Sequence, residues 1–347
     1  MFINSLIKKS HSGKVNHKNV TRRNYSNDRI TPNLLFPITA NPTWDSLTFG
    51  GPSPMNNCHN NYAVAASPKK LPNHNKTSVQ LMSDIHLEYK DLSHISDITD
   101  KDEMNNFFLT IITPSAPMLM LCGDVGQPFT RIYRQFMEFC SNNFERVFVV
   151  AGNHEYFGER GMEAVDRQIG SIADDYPNLY YLNNDVKKLT DQWEIIGTTL
   201  WTNIPVEHRD YIKRCMNDYD HIIANGKPIT PNFISGLFHK NLELVKRLVE
   251  ERPHKKLIIM SHHLPSFKAI APEYKDSLIN YAFASDLDEF IREHPNIKKW
   301  CFGHTHSPID ERIELCQLLC NPNPFASNAR YAKQYVRKDY TVTIKLD

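Results

Sequence analysis

No run of apolar side chains in this chain approaches the roughly 20 residues that a membrane-crossing helix requires, and the ionic balance is close to nil. Lys and Arg number 40 against 39 Asp and Glu, a net charge of +1 with histidine neutral. Without a global basic field, the composition argues against a nucleic-acid or anionic-membrane binder. The 7 cysteines, odd in number and irregular in spacing, supply neither a disulfide framework nor a zinc-knuckle pattern. Cys122 and Cys301 lie inside apolar runs, where a free thiol behaves as a small hydrophobe. The expectation is a reducing, intracellular setting, the cytoplasm first. What is present is a globular balance, 41% hydrophobic and 23% charged residues, over a length that accommodates one large core or two ordinary ones.

Residues 1–77 stand apart. They are rich in Asn, Ser and Pro, hold no sustained helical or strand period, and read as a low-complexity, disordered extension. The first 30 residues carry Lys8, Lys9, Lys14, Lys18, Arg22, Arg23 and Arg29 against Asp28 alone. A basic flexible tail is the favoured reading, with a mitochondrial-type presequence as the alternative. "FINSLI" is too short for the hydrophobic region of a secretory signal.

From Ser78 onward apolar runs alternate with amphipathic stretches. "SVQLMSD", "PMLMLCGD", "RVFVVAGN", "WEIIGTTLW", "KLIIMSHH" and "KKWCFGHTH" have the continuous hydrophobicity of strands buried on both faces. Between them, Ile234, Leu237, Phe238, Leu242, Val245, Leu248 and Val249 keep helical spacing up to a stop at Pro253. Weaker helical patterns run through "TRIYRQFMEFCSNN" and "GERGMEAVDRQIGSIADDY", and "YTVTIKLD" alternates like a closing strand. Strands interleaved with helices predict an α/β layered fold in one domain over 78–347.

The chemistry sits where the apolar runs end. Asp84 and His86 follow the first, Asp124 the second, Asn153 and His154 the third, His262 and His263 the fifth, His304 and His306 the sixth. In open α/β sheets ligands bind beyond the carboxyl ends of strands, so turns far apart in sequence can converge on one site. Carboxylate, amide oxygen and neutral imidazole are the groups that hold divalent transition metals. The set is too large for one ion and about right for two. Each turn alone has a blander reading: Asp84 as a turn acid or cap, the glycine–aspartate pair as a common turn, the histidine pair as satisfied core residues. The coincidence of all five at strand ends outweighs those readings.

The ordered set "SDIH", "GDVG", "GNHE", "SHHLPS" and "GHTH" resembles the calcineurin-like metallophosphoesterase superfamily, and "GTTLW", "MNDYDHI" and "LLCNP" are similar to a branch of small bacterial-type phosphoesterases. The resemblance implies a four-layer metallophosphoesterase β-sandwich flanked by helices, with two divalent ions (Mn, Fe, Zn, Ni or Co) at the strand ends. It implies Asp84, His86 and His306 on one ion, Asn153, His262 and His304 on the other, and Asp124 between them. His262 is preferred to His263 for its place directly after the strand. It implies, further, hydrolysis of a phosphomonoester or phosphodiester by a metal-bridging hydroxide; His154, beside Asn153 on a tight turn, is placed to donate a proton to the leaving group or to stabilise the equatorial charge, and Glu155 to orient ligands. The implied partner is a phosphorylated small molecule or nucleotide, with no membrane, nucleic acid or partner protein.

Three alternatives differ in kind. A non-catalytic binding module normally loses ligand positions, and here none of the seven is missing. Nucleases of the superfamily tend to carry an aspartate where this chain has Glu155. Ser/Thr protein phosphatases carry an Asp-Arg-Gly extension where this chain has Gly126 and Gln127, which removes an arginine clamp for phosphate. His208, Arg209 and Arg214 are candidates for that role, against the simpler reading of a solvated helix face. The stretch "EYKDLSHISDITDKDEMNNFF" and the segment 204–231 are expected to shape the entrance.

Overall fold

Side chains along each apolar run alternate between two different cores, and this alternation defines the layers. The computed structural model describes residues 78–323 and 341–343; the expectation for residues 1–77 lies outside them. The strands are β1 Ser78–Met82, β2 Met118–Cys122, β3 Arg146–Val150, β4 Leu179–Tyr181, β5 Asp185–Lys188, β6 Trp193–Gly197, β7 Ile223–Ala224, β8 Lys227–Pro228, β9 Lys256–Met260, β10 Ile297–Phe302, β11 Ile309–Ile313, β12 Cys316–Cys320 and β13 Thr341–Thr343. One sheet has the order β13-β1-β2-β3-β4 and a second the order β11-β12-β10-β9-β6-β5, while β7 and β8 form a small hairpin. In the first sheet β1 to β4 are parallel and β13 runs antiparallel to β1. In the second, β6, β9, β10 and β12 are parallel, with β5 and β11 antiparallel at the edges.

Val79, Leu81, Met120, Cys122, Phe148 and Val150 of the first sheet pack against Ile195, Ile258, Met260, Cys301 and Leu319 of the second. Their alternate neighbours face outward. Leu119, Leu121, Val147 and Val149 pack against Phe107, Phe108, Tyr133 and Phe136, which belong to the helices Lys101–Ile111 and Arg131–Asn143. On the other side, Ile196, Leu257, Ile259 and Trp300 pack against Ile234, Phe238, Val245 and Phe290 of the helices Pro231–Glu250 and Asp288–Glu293. The result is helix, sheet, sheet, helix: the four-layer sandwich expected from the motifs. The period of two along the central strands sends alternate residues to one core or the other.

Local differences from the sequence reading have identifiable causes. The fourth apolar run is strand only to Gly197, because Leu200 and Trp201 take left-handed backbone at φ 69° and 60°. The long helix starts at a Thr230 cap, whose side chain accepts from Phe233 N–H, with Pro231 in its first turn, and stops at Glu250, ahead of Pro253. The end of the stretch expected to shape the entrance, from Lys101 onward, belongs to the core helix Lys101–Ile111, which is capped by Asp100 and buries Met104, Phe107, Phe108 and Ile111. Of the closing strand, only Thr341–Thr343 falls among the described residues. No described helix is long and apolar enough to cross a membrane.

The two sheets are laced together beyond the carboxyl ends of their parallel strands. Ser83 N–H donates to Asn321 C=O at 3.1 Å and Asn323 N–H to Ser83 C=O at 2.8 Å. Thr199 Oγ1 donates to Ala151 C=O at 2.8 Å. Gly197 shows how tightly the layers meet: a Cβ there would lie 2.2 Å from Leu182 Cβ and 3.0 Å from Val150 Cγ1. Gly197→Ala is therefore expected to destabilise the fold by about 1–3 kcal/mol through overpacking. Gly170→Ala, inside the helix Met162–Asp174 with open space around it, should stabilise by about 1 kcal/mol. Urea unfolding of both variants measures the contrast.

Candidate metal centre

The laced end of the sandwich carries the polar turns. Asp84 and His86 follow β1, Asp124 follows β2, Asn153 and His154 follow β3, His262 follows β9, and His304 and His306 follow β10. Five of these residues have left-handed backbone: Asp84 at φ 53°, His86 at 50°, Asp124 at 53°, His304 at 65° and His306 at 52°. Such conformations are uncommon outside glycine and cost of order 1–3 kcal/mol each, so they persist where surrounding structure over-determines them. Here the turns are pinned crosswise: Asp84 N–H donates to Gly123 C=O at 3.0 Å and His86 N–H to Asp124 C=O at 2.9 Å. His304 N–H donates to Asp84 Oδ1 at 2.8 Å and His154 N–H to Asp124 Oδ1 at 2.9 Å. Gly152 is where the β3 turn passes closest, since a Cβ there would lie 2.1 Å from Asp124 Oδ1 and 2.7 Å from His262 Cε1.

Three groups of donor atoms result; one is His86, Glu88 and His154, and the other two share a residue. Asp84, His86, Asp124 and His306 each offer an atom within 4.8 Å of the others, and so do Asp124, His262 and His304. Asp124 belongs to both of these. Its Oδ2 lies 3.5 Å from His86 Nε2 and 3.4 Å from His262 Nε2. His262 Nε2 is also 3.0 Å from Asn153 Oδ1 and 3.2 Å from His304 Nδ1. Asp124 Oδ2 and His304 Nε2 are buried without a hydrogen-bond partner among the described residues. A buried carboxylate oxygen and a buried imidazole nitrogen left this way are expensive, and divalent cations satisfy both. The residues present fit such ions.

Burial, then the neighbouring imidazoles, pushes His304 well below its ordinary value and His306 down to about 4. Both are therefore neutral, the form that ligates. Burial opposes the charge on Asp124, but His262 and His154 beside it prevail and hold its carboxyl well below the usual range.

Hydrogen bonds at the opposite ring nitrogens set the tautomers. His262 Nδ1–H donates to Cys122 C=O at 2.9 Å, which leaves Nε2 as the free lone pair. His263 is turned away: its Nδ1–H donates to Thr199 C=O at 3.2 Å and its ring packs 5.0 Å from Trp201. His86 Nδ1–H donates to Glu88 Oε1 at 3.0 Å, again leaving Nε2 toward the cluster. His154 sits at the more open side with 20% of its side chain exposed, stacked on Phe157 at 4.2 Å, and its Nδ1 is 3.1 Å from Glu88 Oε1. Burial lowers the His154 pKa, but the Asp124 and Glu88 carboxylates outweigh it and raise it to about 9.

Three acidic residues tie the site together. Glu155 is buried, accepting from Gly152 N–H at 2.7 Å and Asp124 N–H at 2.9 Å on one oxygen and from Val125 N–H at 2.7 Å on the other. Asp218, unnamed in the sequence reading although it lies within "MNDYDHI", accepts from Asn153 Nδ2 at 2.8 Å and so turns Asn153 Oδ1 toward His262. Glu88 was missed as a member of the site as well, although it stands two residues beyond His86 and opens the stretch expected to shape the entrance. The cationic candidates do not join the cluster. Arg209 Nε donates to Ile204 C=O at 3.0 Å and its Nη1 reaches Asn232, while His208 stacks on Tyr281 at 4.9 Å and Arg214 is exposed.

A two-sheet sandwich with imidazoles and carboxylates gathered at its strand ends defines a metal-dependent hydrolase. The sequence model of the family described as calcineurin-like phosphoesterase matches residues 78–308, and the chain belongs to that family. It is a metal-dependent phosphoesterase. The chain is 32% identical over 244 residues to "Uncharacterized protein L509" of Acanthamoeba polyphaga mimivirus, spanning 66% of this chain and 84% of the relative. It is 24% identical over 278 residues to a "Probable cyclic nucleotide phosphodiesterase" of Coxiella burnetii, spanning 77% and 93%. The crystal structure of phosphopantetheinyl hydrolase from Mycobacterium tuberculosis aligns with TM-score 0.58 at 14% identity, covering 78% of this chain and 96% of that one. At that identity the likeness concerns the fold.

Removing the Asp218 carboxylate frees the Asn153 amide to rotate. Asp218→Ala should weaken Mn²⁺ binding by roughly 10–100-fold, as loss of an outer hydrogen-bond partner does at other metal sites. Calorimetric titration reads the affinity, with thermal unfolding as the check that the fold is retained.

Proposed function

We propose that the chain hydrolyses phosphoesters with two divalent cations at the strand ends. Asp84, His86 and His306 would hold one, Asn153, His262 and His304 the other, and Asp124 would lie between them. The observation that carries this reading is the Asp124 carboxylate, common to two donor groups and with a buried oxygen left over. When bound, such a pair supplies hydroxide near neutral pH and offsets charge on the phosphoryl oxygens. The donor set of nitrogen and oxygen without thiolate suits Mn, Fe, Zn, Ni or Co.

The chain's own residues do the rest. Asp84, through the His304 N–H, and Glu155, through the Asp124 N–H, keep the two turns in register. Asp218 and Cys122 C=O orient Asn153 and His262. His154 is not among the donors of the two groups that share Asp124, but stands with His86 and Glu88 in the third; with Nδ1 bound to Glu88, its Nε2 is the nitrogen that can protonate the leaving oxygen as the P–O bond breaks. The substrate of this reading is a phosphorylated small molecule or nucleotide, as monoester or diester. The name of the Coxiella relative supports the nucleotide. The reading includes residues 78–347 as the phosphoesterase domain and 1–77 as an extension.

The test is direct. Protein loaded with Mn²⁺ should bind two ions per chain and cleave p-nitrophenyl phosphate or its bis ester, and EDTA should abolish both. His154→Ala should lose roughly 10²–10⁴-fold in kcat on a substrate with a poor leaving group while keeping two ions, by elemental analysis. Loss of metal in step with activity would reassign His154 as a ligand.

A further inference from the structure

A single carboxylate oxygen serves two imidazoles in this site. Glu88 Oε1 lies 3.0 Å from His86 Nδ1 and 3.1 Å from His154 Nδ1. A carboxylate only accepts, so both nitrogens carry their protons toward it. The two rings meet edge to face with centroids 4.4 Å apart, held as a unit by the anion between their Nδ1 corners. The backbone below is firmly placed: His86 N–H and Leu87 N–H donate to Asp124 C=O and Val125 C=O, both at 2.9 Å, and Leu87 is buried. Glu88 itself is only 13% exposed.

We propose that Glu88 is the positioning residue for proton transfer, fixing the His154 tautomer and coupling its ring to the ligand His86. The proposal rests on His154 as proton donor. With Nδ1–H committed to Glu88, the other proton of the His154 imidazolium is on Nε2. When water adds to phosphorus and the P–O bond to the leaving group breaks, the leaving oxygen takes that Nε2 proton. The proton released by the water restores the imidazolium. The bond of the same carboxylate to His86 makes the donor's position depend on the ligand's.

The experiment compares wild type, Glu88→Gln, His154→Ala and the double variant on phenyl and p-nitrophenyl esters of phosphate. p-Nitrophenolate departs without a proton; phenolate is helped by one. In Glu88→Gln, kcat for the phenyl ester should fall roughly tenfold or more, with KM and the number of bound ions unchanged. Turnover of the p-nitrophenyl ester should change by no more than about threefold, and Glu88→Gln should cost nothing further in the His154→Ala background. In metal-free protein, nitrogen-15 spectra of the histidine rings should show His86 and His154 as Nδ1–H in wild type and a changed pattern at both in Glu88→Gln.

Equal losses on the two esters, additive losses in the double variant, or a third ion that Glu88→Gln releases would each overturn the proposal. So would a wild-type His154 protonated on Nε2 and bare on Nδ1, a result that needs no variant to fold. If wild type cleaves neither ester, it is the hydrolytic reading that fails, and the ring spectra still decide the role of Glu88.

Discussion

The carboxylate of Glu155 is the bond on which the site depends. It is buried between the turns that follow β2 and β3 and accepts from the amides of Gly152, Asp124 and Val125. Those amides point inward because both strands have ended and have no further sheet partner to bond. An unpaired buried amide costs about as much as a lost hydrogen bond, so one side chain satisfies three such groups and holds two turns together. Burial raises the Glu155 pKa, to about 7, with the neighbouring Asp124 charge adding to the rise. The bonds from the amides oppose that rise. Asp124 and Asn153 take their places on either side of this carboxylate.

The same end of the molecule holds most of what is unfavourable in it. Left-handed backbone at five turn residues, buried imidazoles held neutral, and three buried polar atoms without hydrogen-bond partners among the described residues (Glu88 Oε2, Asp124 Oδ2 and His304 Nε2) all fall within one cluster. The three hydrophobic layers below carry the opposing free energy. Met120, Cys122, Phe148 and Val150 fill the space between the sheets directly beneath the turns, so the turns rest on strands that cannot shift register without inverting both cores. A rigid scaffold of this kind permits a locally strained constellation, and the lacing through Ser83, Asn321 and Asn323 places its stiffest part at the site.

The strands that proved legible are those buried on both faces, since only they are apolar without a break. β4, β5, β11 and β12 were not named: β5 "DVKK" and β11 "IDERI" are exposed edge strands whose composition resembles a loop. The helix Lys101–Ile111 had a readable signal in Met104, Phe107, Phe108 and Ile111 below an Asp100 cap, but it was hidden in an acidic, asparagine-rich stretch. In the site, the residues following apolar strands were recognisable because ligand chemistry needs few residue types at strand ends. Asp218 and Glu88 were not, since an acid beside a tyrosine is everywhere a surface residue until its partner is known.

The amino-acid order by itself therefore determined the α/β layering, the family and the polar turns after five apolar strands, because hydrophobic period and motif are local properties. Only the tertiary structure decided which imidazole of the His262–His263 pair faces Asp124, that Asp218 turns the Asn153 amide, and that Arg209 bonds Ile204 and Asn232 instead of the cluster. It alone joined His86 to His154 through Glu88. Those outcomes depend on partners far apart in the chain, such as Asn153 with Asp218 and His154 with Glu88, or on which face of one turn meets a neighbouring strand. Orientation of that kind is set by hydrogen bonds across layers, and no local pattern encodes it.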